Sequence, residues 1–218
     1  MKTNFKNFLG ELDAIIARDP ATNSRLEAFL CSPGLHCLLF YRLANFLWRK
    51  NWRLSARLIS QVARFFTGIE IHPGAQIGRH VVIDHGMGTV IGETTIIGNN
   101  VMLYHGVTLG GTKSYNNKNN RRHPTIEDNV IIGAGAQVLG PIVVGKNAKI
   151  GANATVVKDV AADTTVIGVA AHKVDTAKSI SFAPYGLNSK APDPYDTSIE
   201  DLRKQIKEIK QQLENKKV

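Results

Sequence analysis

Between Ile71 and Ala162 an aliphatic residue returns at about every sixth position, a period that fits neither a helix face nor an alternating strand. The positions in phase are Ile71, Ile77 and Ile83, then Ile91, Ile97, Leu103 and Leu109, then Ile126, Ile132, Val138, Val144, Ile150, Val156 and Ala162. A six-residue period predicts the coils of a parallel β-helix. Each unit supplies one short strand and one turn, three units close a triangular coil, and the inward aliphatics stack into a core that no single coil could maintain. Gly78, Gly92, Gly98, Gly133, Gly145 and Gly151 each follow an inward residue, where the lack of Cβ is expected to let the chain turn tightly. A β-sandwich would instead need two-residue alternation and turn signals at intervals of roughly 8–12 residues.

Upstream the period is helical. Phe5, Phe8, Leu9, Leu12, Ile15 and Ile16 mark a first helix halted by Pro20, Ser32-Pro33-Gly34 opens a second, and Leu54, Leu58, Ile59, Val62 and Phe65 mark a third. These helices are expected to pack on one another and on the first coil. Downstream, residues 179–196 are rich in Pro, Gly and Ser and should be irregular. Ile199, Leu202, Ile206, Ile209 and Leu213 then step by three and four. That seam is too short to hold a helix in isolation, so it either docks, self-associates or frays. The expected fold class is therefore α+β: an N-terminal helical domain over residues 1–67, a β-helix domain over 68–175, and a C-terminal tail with a short amphipathic helix over 176–218.

The six-residue phase breaks twice, and a solenoid accepts insertions only at its corners. The first break is a slip between Ile83 and Ile91, through Asp84-His85-Gly86-Met87-Gly88. The second runs from Gly110 to Thr125, and its Asn, Lys and Arg content reads as a loop thrown out from the coil, a common place for binding residues.

Composition narrows the class. At 218 residues and 43% apolar the chain is long enough for a real core. Cys31 and Cys37 lie within one helical pattern and no signal peptide precedes them, which points to a reducing cytoplasm. The apolar stretch Gly34–Trp48 is short and carries Arg42, so a packed helix is expected there and no membrane span. The net charge of +9 is uneven: residues 1–67 hold ten Lys and Arg against four Asp and Glu, whereas residues 68–175 hold nine against eight. Arg42, Arg49, Arg53, Arg57 and Arg64 punctuate amphipathic helices and form no aromatic-flanked basic stripe, so nucleic acid is not an expected partner.

The polar residues at the breaks suit acid/base chemistry. Glu70 opens the β-helix, Asp84 and His85 sit at the first break, and Arg122 and His123 follow the second loop. Glu70 and His85 are fifteen residues apart, nearly one eighteen-residue turn, so they can be neighbours on adjacent coils. A carboxylate beside an imidazole fixes its tautomer and raises its basicity.

The chain resembles the serine acetyltransferases, hexapeptide-repeat enzymes that move acetyl from acetyl-CoA to the hydroxyl of L-serine in cysteine biosynthesis. The resemblance runs from Arg18-Asp19-Pro20-Ala21 through EIHPGAQIG, IDHGMGTVIGET, GVTLGGT and Arg122-His123-Pro124 to IGANATVV, about 150 residues. It implies a left-handed β-helix, His85 as general base, and Glu70 in the place of the dyad's acidic partner, where the family more often has Asp. Asp19 and Asp84 match residues that hold the substrate ammonium, and Arg122 and His123 match those that hold its carboxylate. Acetyl-CoA is implied as co-substrate and no metal, with the CoA arm between adjacent solenoids of a trimer, against Ala134 and Ala152. Lys149 is a candidate partner for a CoA phosphate or a solvated surface lysine, and the Gly110-Gly111 turn is a candidate source of oxyanion donors.

The same resemblance implies a homotrimer or dimer of trimers and inhibition by cysteine. Many members end in an isoleucine that inserts into O-acetylserine sulfhydrylase; Lys217-Val218 stands here and departs from that pattern, with Val218 a weaker substitute in a complex with that sulfhydrylase. Other readings are a homoserine or sugar acceptor and a non-catalytic trimeric scaffold. His80, His85 and His105 also invite a three-histidine zinc site of the γ-carbonic anhydrase type, but their spacing does not match that pattern.

Overall fold

The computed structural model describes residues 2–112, 121–168, 203–208 and 211. Its first compact unit, Met1–Ala170, carries four helices, α1 (Lys2–Ile16), α2 (Arg25–Cys31), α3 (Pro33–Arg49) and α4 (Arg53–Thr67), followed by a three-sided stack of parallel strands. The first face stacks Glu70–Ile71, Val90–Ile91, Thr108–Gly110, Gln137–Leu139 and Thr155–Val156. The second stacks Gln76–Ile77, Ile96–Ile97, Thr125–Ile126 and Val143–Val144, and the third Val82–Ile83, Met102–Leu103, Ile131–Ile132, Lys149–Ile150 and Thr165–Val166. The expected β-helix is therefore present, and every in-phase aliphatic from Ile71 to Val156 is buried in one continuous core.

The register measures both breaks. Ile126 pairs with Val144, Ile132 with Ile150 and Val138 with Val156, each eighteen residues on, which is three regular hexads. Ile71 pairs with Ile91 and Ile83 with Leu103, twenty residues on, so the first break adds two residues. Ile97 pairs with Ile126, twenty-nine residues on, so the second adds eleven. The last coil differs from the sequence expectation. Val144 bridges Val160 and Ile150 pairs with Val166, sixteen residues on, so Val160 is buried and Ala162 is exposed. The shortened corner is held by Asp159, whose Oδ1 accepts the Val143 N–H at 2.8 Å in place of a coil carbonyl.

The hexad glycines also have a different cause from the one expected. Positive φ at the corner between the second and third faces falls on His80, Asn100, Asn129 and Asn147. Gly98 is needed because a Cβ there would stand 2.4 Å from Asp128 Oδ1 and 2.9 Å from the Asp128 backbone nitrogen on the next coil. Close stacking of successive corners, and not turn conformation, excludes a side chain.

The helices cap the first coil. Residues 70, 72, 76 and 78 donate their N–H groups forward to the second coil, which leaves the intervening carbonyls facing away from it with no preceding coil to pair them. Helix side chains supply the donors: Cys37 Sγ to Ile69 O, Ser60 Oγ to Ile71 O at 2.6 Å, Tyr41 OH to Ala75 O at 2.6 Å, and Arg42 Nη1 to Ile77 O at 2.6 Å. Burial pushes the Cys37 thiol up to about 12.

Three details of the helical region depart from the sequence expectation. The helix α2 was not expected, although Ser24 caps its start, with Glu27 N–H donating to Ser24 Oγ at 3.2 Å and the preceding Asn23 N–H donating to Glu27 Oε2 at 2.8 Å. Cys31 consequently ends α2 while Cys37 lies in α3. On α4 the buried face is Ala56, Ser60, Ala63 and Thr67, whereas Leu54, Leu58, Val62 and Phe65 are exposed. Only the small residues let α4 approach α3 and the coil carbonyls closely.

The second unit, Ala171–Val218, is described only at residues 203–208 and 211, which are helical. Ile206 is exposed there, and Ile199, Leu202, Ile209, Leu213 and the 179–196 segment lie outside the described residues. So do residues 113–120 of the second break and the side chain of Phe5. Among the described residues no helix is long and apolar enough to cross a membrane.

Replacing Ser60 by Ala removes the donor to Ile71 O. An unsatisfied buried carbonyl costs about 1–3 kcal/mol, and the better helix propensity of Ala returns roughly 0.5 kcal/mol. We expect urea unfolding of Ser60→Ala to report a net loss of about 1–2 kcal/mol.

Candidate functional site

The candidate residues gather at two corners of the triangular coil. At the corner between the third and first faces, the two-residue insertion forms a tight bulge in which Gly86 N–H donates to Asp84 O at 2.6 Å and Met87 N–H to His85 O at 3.0 Å. It places His85 at φ +57°, a left-handed conformation uncommon outside glycine, and leaves its side chain 73% exposed. His85 Nε2 lies 3.8 Å from Asp84 Oδ2, and the His85 ring stands edge-on to that of His105 on the next coil, with centroids 5.9 Å apart.

A third group reaches this corner from the helical region. Asp19 lies between α1 and α2, accepting the Thr22 hydroxyl at 2.6 Å and the Ala21 N–H at 2.9 Å. Those two donors hold its carboxyl below the usual range, and the charge of His85 adds to the effect. Arg18 pins the segment to the β-helix by donating to His80 O and Asn100 O, both at 2.9 Å. Asp19, Asp84 and His85 thereby line one open cleft of about 350 Å³ with an apolar floor that includes Ile15 and Val82. Two carboxylates beside an imidazole suit a cationic amine and a base-catalysed step.

Glu70 is not joined to His85. Its Oε2 pairs with Arg64 Nη1 at 3.0 Å, and no hydrogen bond or ion pair links it to the imidazole among the described residues. Below His85 the same corner carries His105, then Ala134, then Ala152, tied in series by Gly135 N–H to His105 O and Asn153 N–H to Ala134 O. Small side chains there leave an open track down the edge, and Lys149 is exposed on the strand that leads to it. His80 is elsewhere, at the corner between the second and third faces, where its N–H donates to Glu11 at 2.9 Å. The three histidines therefore do not converge, and the described residues hold no cluster suited to a metal.

Arg122 and His123 occupy the corner between the first and second faces, at the closing end of the long loop. Thr94, one coil earlier, holds both: its Oγ1 accepts the N–H groups of Arg122 at 3.1 Å and His123 at 3.2 Å. Arg122 Nη2 lies 3.5 Å from Glu93 Oε2. The ring of His123 packs over Gly92, where a Cβ would collide with it, and is buried. Burial first, then Arg122, lowers the His123 pKa, with Glu93 opposing. His72 joins this group, edge-on to Trp48 at 4.9 Å, and burial drives its pKa down to about 4, with Glu93 opposing and Arg57 and Arg122 adding to the fall. Gly111 closes the loop's neck opposite Arg122, where a Cβ would lie 3.1 Å from Arg122 O. Sequence reasoning assigned no role to Glu93, Thr94 or His72, although all three lie inside the motifs it singled out. The signal available was adjacency: each falls at the hexad corner that the second break interrupts.

Comparison with known proteins bears on the fold and the family. The bacterial transferase hexapeptide family model, of six repeats, matches residues 123–158, in keeping with a left-handed parallel β-helix. The chain is 47% identical over 214 residues to the serine acetyltransferase of Bacillus licheniformis, covering 97% of this chain and 96% of that protein. Among solved structures, Neisseria gonorrhoeae serine acetyltransferase in complex with serine matches with a TM-score of 0.72 at 38% identity, over 79% of this chain and 70% of that one. The Brucella abortus serine acetyltransferase in complex with coenzyme A matches with a TM-score of 0.72 at 36% identity, over 77% of this chain and 66% of that one. On near-full-length identity of this order, the chain belongs to the serine acetyltransferase family.

Proposed function

We propose that this protein transfers acetyl from acetyl-CoA to the hydroxyl of L-serine, giving O-acetyl-L-serine and CoA. The observation that carries the reading is the cleft in which Asp19, Asp84 and His85 meet, within a chain similar over nearly its whole length to serine acetyltransferases. The serine ammonium is held by Asp19 and Asp84. His85 accepts the hydroxyl proton as the oxygen attacks the thioester carbonyl, since a serine hydroxyl is barely ionised at neutral pH. The tetrahedral oxyanion is met by the backbone N–H of Gly111, the first residue past the strand Thr108–Gly110, and its collapse releases the CoA thiolate. The pantetheine arm runs along Ala134 and Ala152, with Lys149 near a CoA phosphate.

Arg122 and His123 bind the serine carboxylate. Because they lie on a different corner of the chain from His85, the site is completed by a second copy, whose first-to-second corner faces the third-to-first corner of its neighbour in a homotrimer. The assembly is a trimer or a dimer of trimers, the C-terminus is the contact for O-acetylserine sulfhydrylase, and the protein works in the cytoplasm.

His85→Ala should lower CoA release from acetyl-CoA and serine at least about a hundredfold, as general-base loss does; full turnover would reject the assignment. Arg122→Ala should raise the serine KM and leave the acetyl-CoA KM within about twofold. At serine concentrations well below the Arg122→Ala KM, mixed assemblies of the His85→Ala and Arg122→Ala chains should be more active than either variant alone, and no gain would place both halves in one chain. For Glu70 the proposal is that its carboxylate exchanges Arg64 for the imidazolium formed at His85. Glu70→Gln should then cut kcat at least about tenfold while Arg64→Ala, which frees the carboxylate, does not. Equal losses for the two variants would make the pair structural.

A further inference from the structure

Thr94 makes more contacts with the Arg122-His123 pair than any packing role needs. Its hydroxyl oxygen accepts two backbone N–H groups, from Arg122 at 3.1 Å and His123 at 3.2 Å, and the same oxygen lies 2.8 Å from His123 Nδ1. The Thr94 backbone N–H also points at that nitrogen, at 3.2 Å. A hydroxyl has one proton to give and two lone pairs to receive. Both lone pairs are taken by the backbone donors, so the hydroxyl proton has nowhere to go except His123 Nδ1. A proton on Nδ1 would give the hydroxyl oxygen a third donor and set an N–H against the Thr94 N–H. Two independent counts therefore leave Nδ1 bare, and in a neutral imidazole the proton then sits on Nε2.

We propose that Thr94 is a positioning residue that locks His123 in its Nε2–H tautomer, so that a neutral, fixed ring offers one N–H donor to the amino-acid carboxylate. The inference rests on the reading of His123 as a carboxylate ligand, and deepens it. The environment agrees with a neutral ring: His123 is buried, and the Arg122 guanidinium and the Glu93 carboxylate beside it act in opposite senses, with burial dominant. Charge recognition is thereby left to Arg122, and direction to His123. The Nε2 atom makes no hydrogen bond among the described residues, and it is not a sealed orphan, since the one buried, unpartnered side-chain polar atom among them is Thr95 Oγ1. Gly92 is part of the device, because the ring occupies the space a side chain there would fill.

The test uses the full-length enzyme with 15N-labelled histidine. Long-range 1H–15N spectra, with the His123 signals identified by their loss in His123→Gln, should show a bare Nδ1 and a protonated Nε2 at pH 7 in the wild type. Thr94→Val keeps the shape and removes the hydroxyl. It should lose that tautomer preference and raise the serine KM about tenfold, with the acetyl-CoA KM within about twofold. Thr94→Ser, which restores the hydroxyl, should recover both. A protonated Nδ1 in the wild type, or a Thr94→Val enzyme with unchanged serine KM, overturns the inference. If His123→Gln itself leaves the serine KM unchanged, the carboxylate-binding role falls, while the tautomer measurement still stands on its own.

Discussion

Hydrogen bonding between successive coils is the constraint on which the rest of the molecule depends. Each coil donates its outward-stacked N–H groups to the carbonyls of the next, so the axial spacing is set by strand pairing and every strand must begin in register. Inward positions are then limited to aliphatics that fill the column, and corners must approach so closely that Gly98 and Gly133 have no room for a Cβ. Extra residues can be accommodated only outside the three faces. The candidate catalytic and binding residues are found there because that is where the backbone has freedom left.

The two insertions differ in size and in what they achieve. Two residues suffice to push His85 out of the column, at the cost of a left-handed φ that the surrounding turn must hold. Eleven residues carry Arg122 and His123 away from the regular path, and Thr94 brings them back by hydrogen bonds to both. Charge follows this geometry in part: two carboxylates stand at the His85 corner, and at the other Arg122 stands beside Glu93.

The helical region does two jobs with one arrangement. Side chains of α3 and α4 complete the hydrogen bonds of a first coil that has no predecessor, and the small face of α4 allows that contact. Through Arg18, the segment after α1 is tied to coil carbonyls at His80 and Asn100, which delivers Asp19 to the edge where Asp84 and His85 already lie. Capping a solenoid and furnishing part of its cleft are here the same piece of structure.

The sequence by itself determined the column, because a six-residue period is a direct image of one residue per face, and it located both breaks, because an insertion cannot hide in a strict period. Asp84, His85, Arg122 and His123 could be singled out for the same reason. It could not determine partners that depend on which coil lies above which. Glu70 reads as a neighbour of His85 by spacing, yet a helix side chain, Arg64, reaches it in the folded chain. Thr94 reads as one polar residue in a hexad and becomes the clamp on His123 only when a loop of unpredictable length brings residue 123 beside it. Likewise the inward position passed from Ala162 to Val160, since Asp159 could stand in for a carbonyl across a shortened corner. Periodicity encodes what repeats; contacts between side chains far apart in sequence are decided by stacking, and only the tertiary structure holds that information.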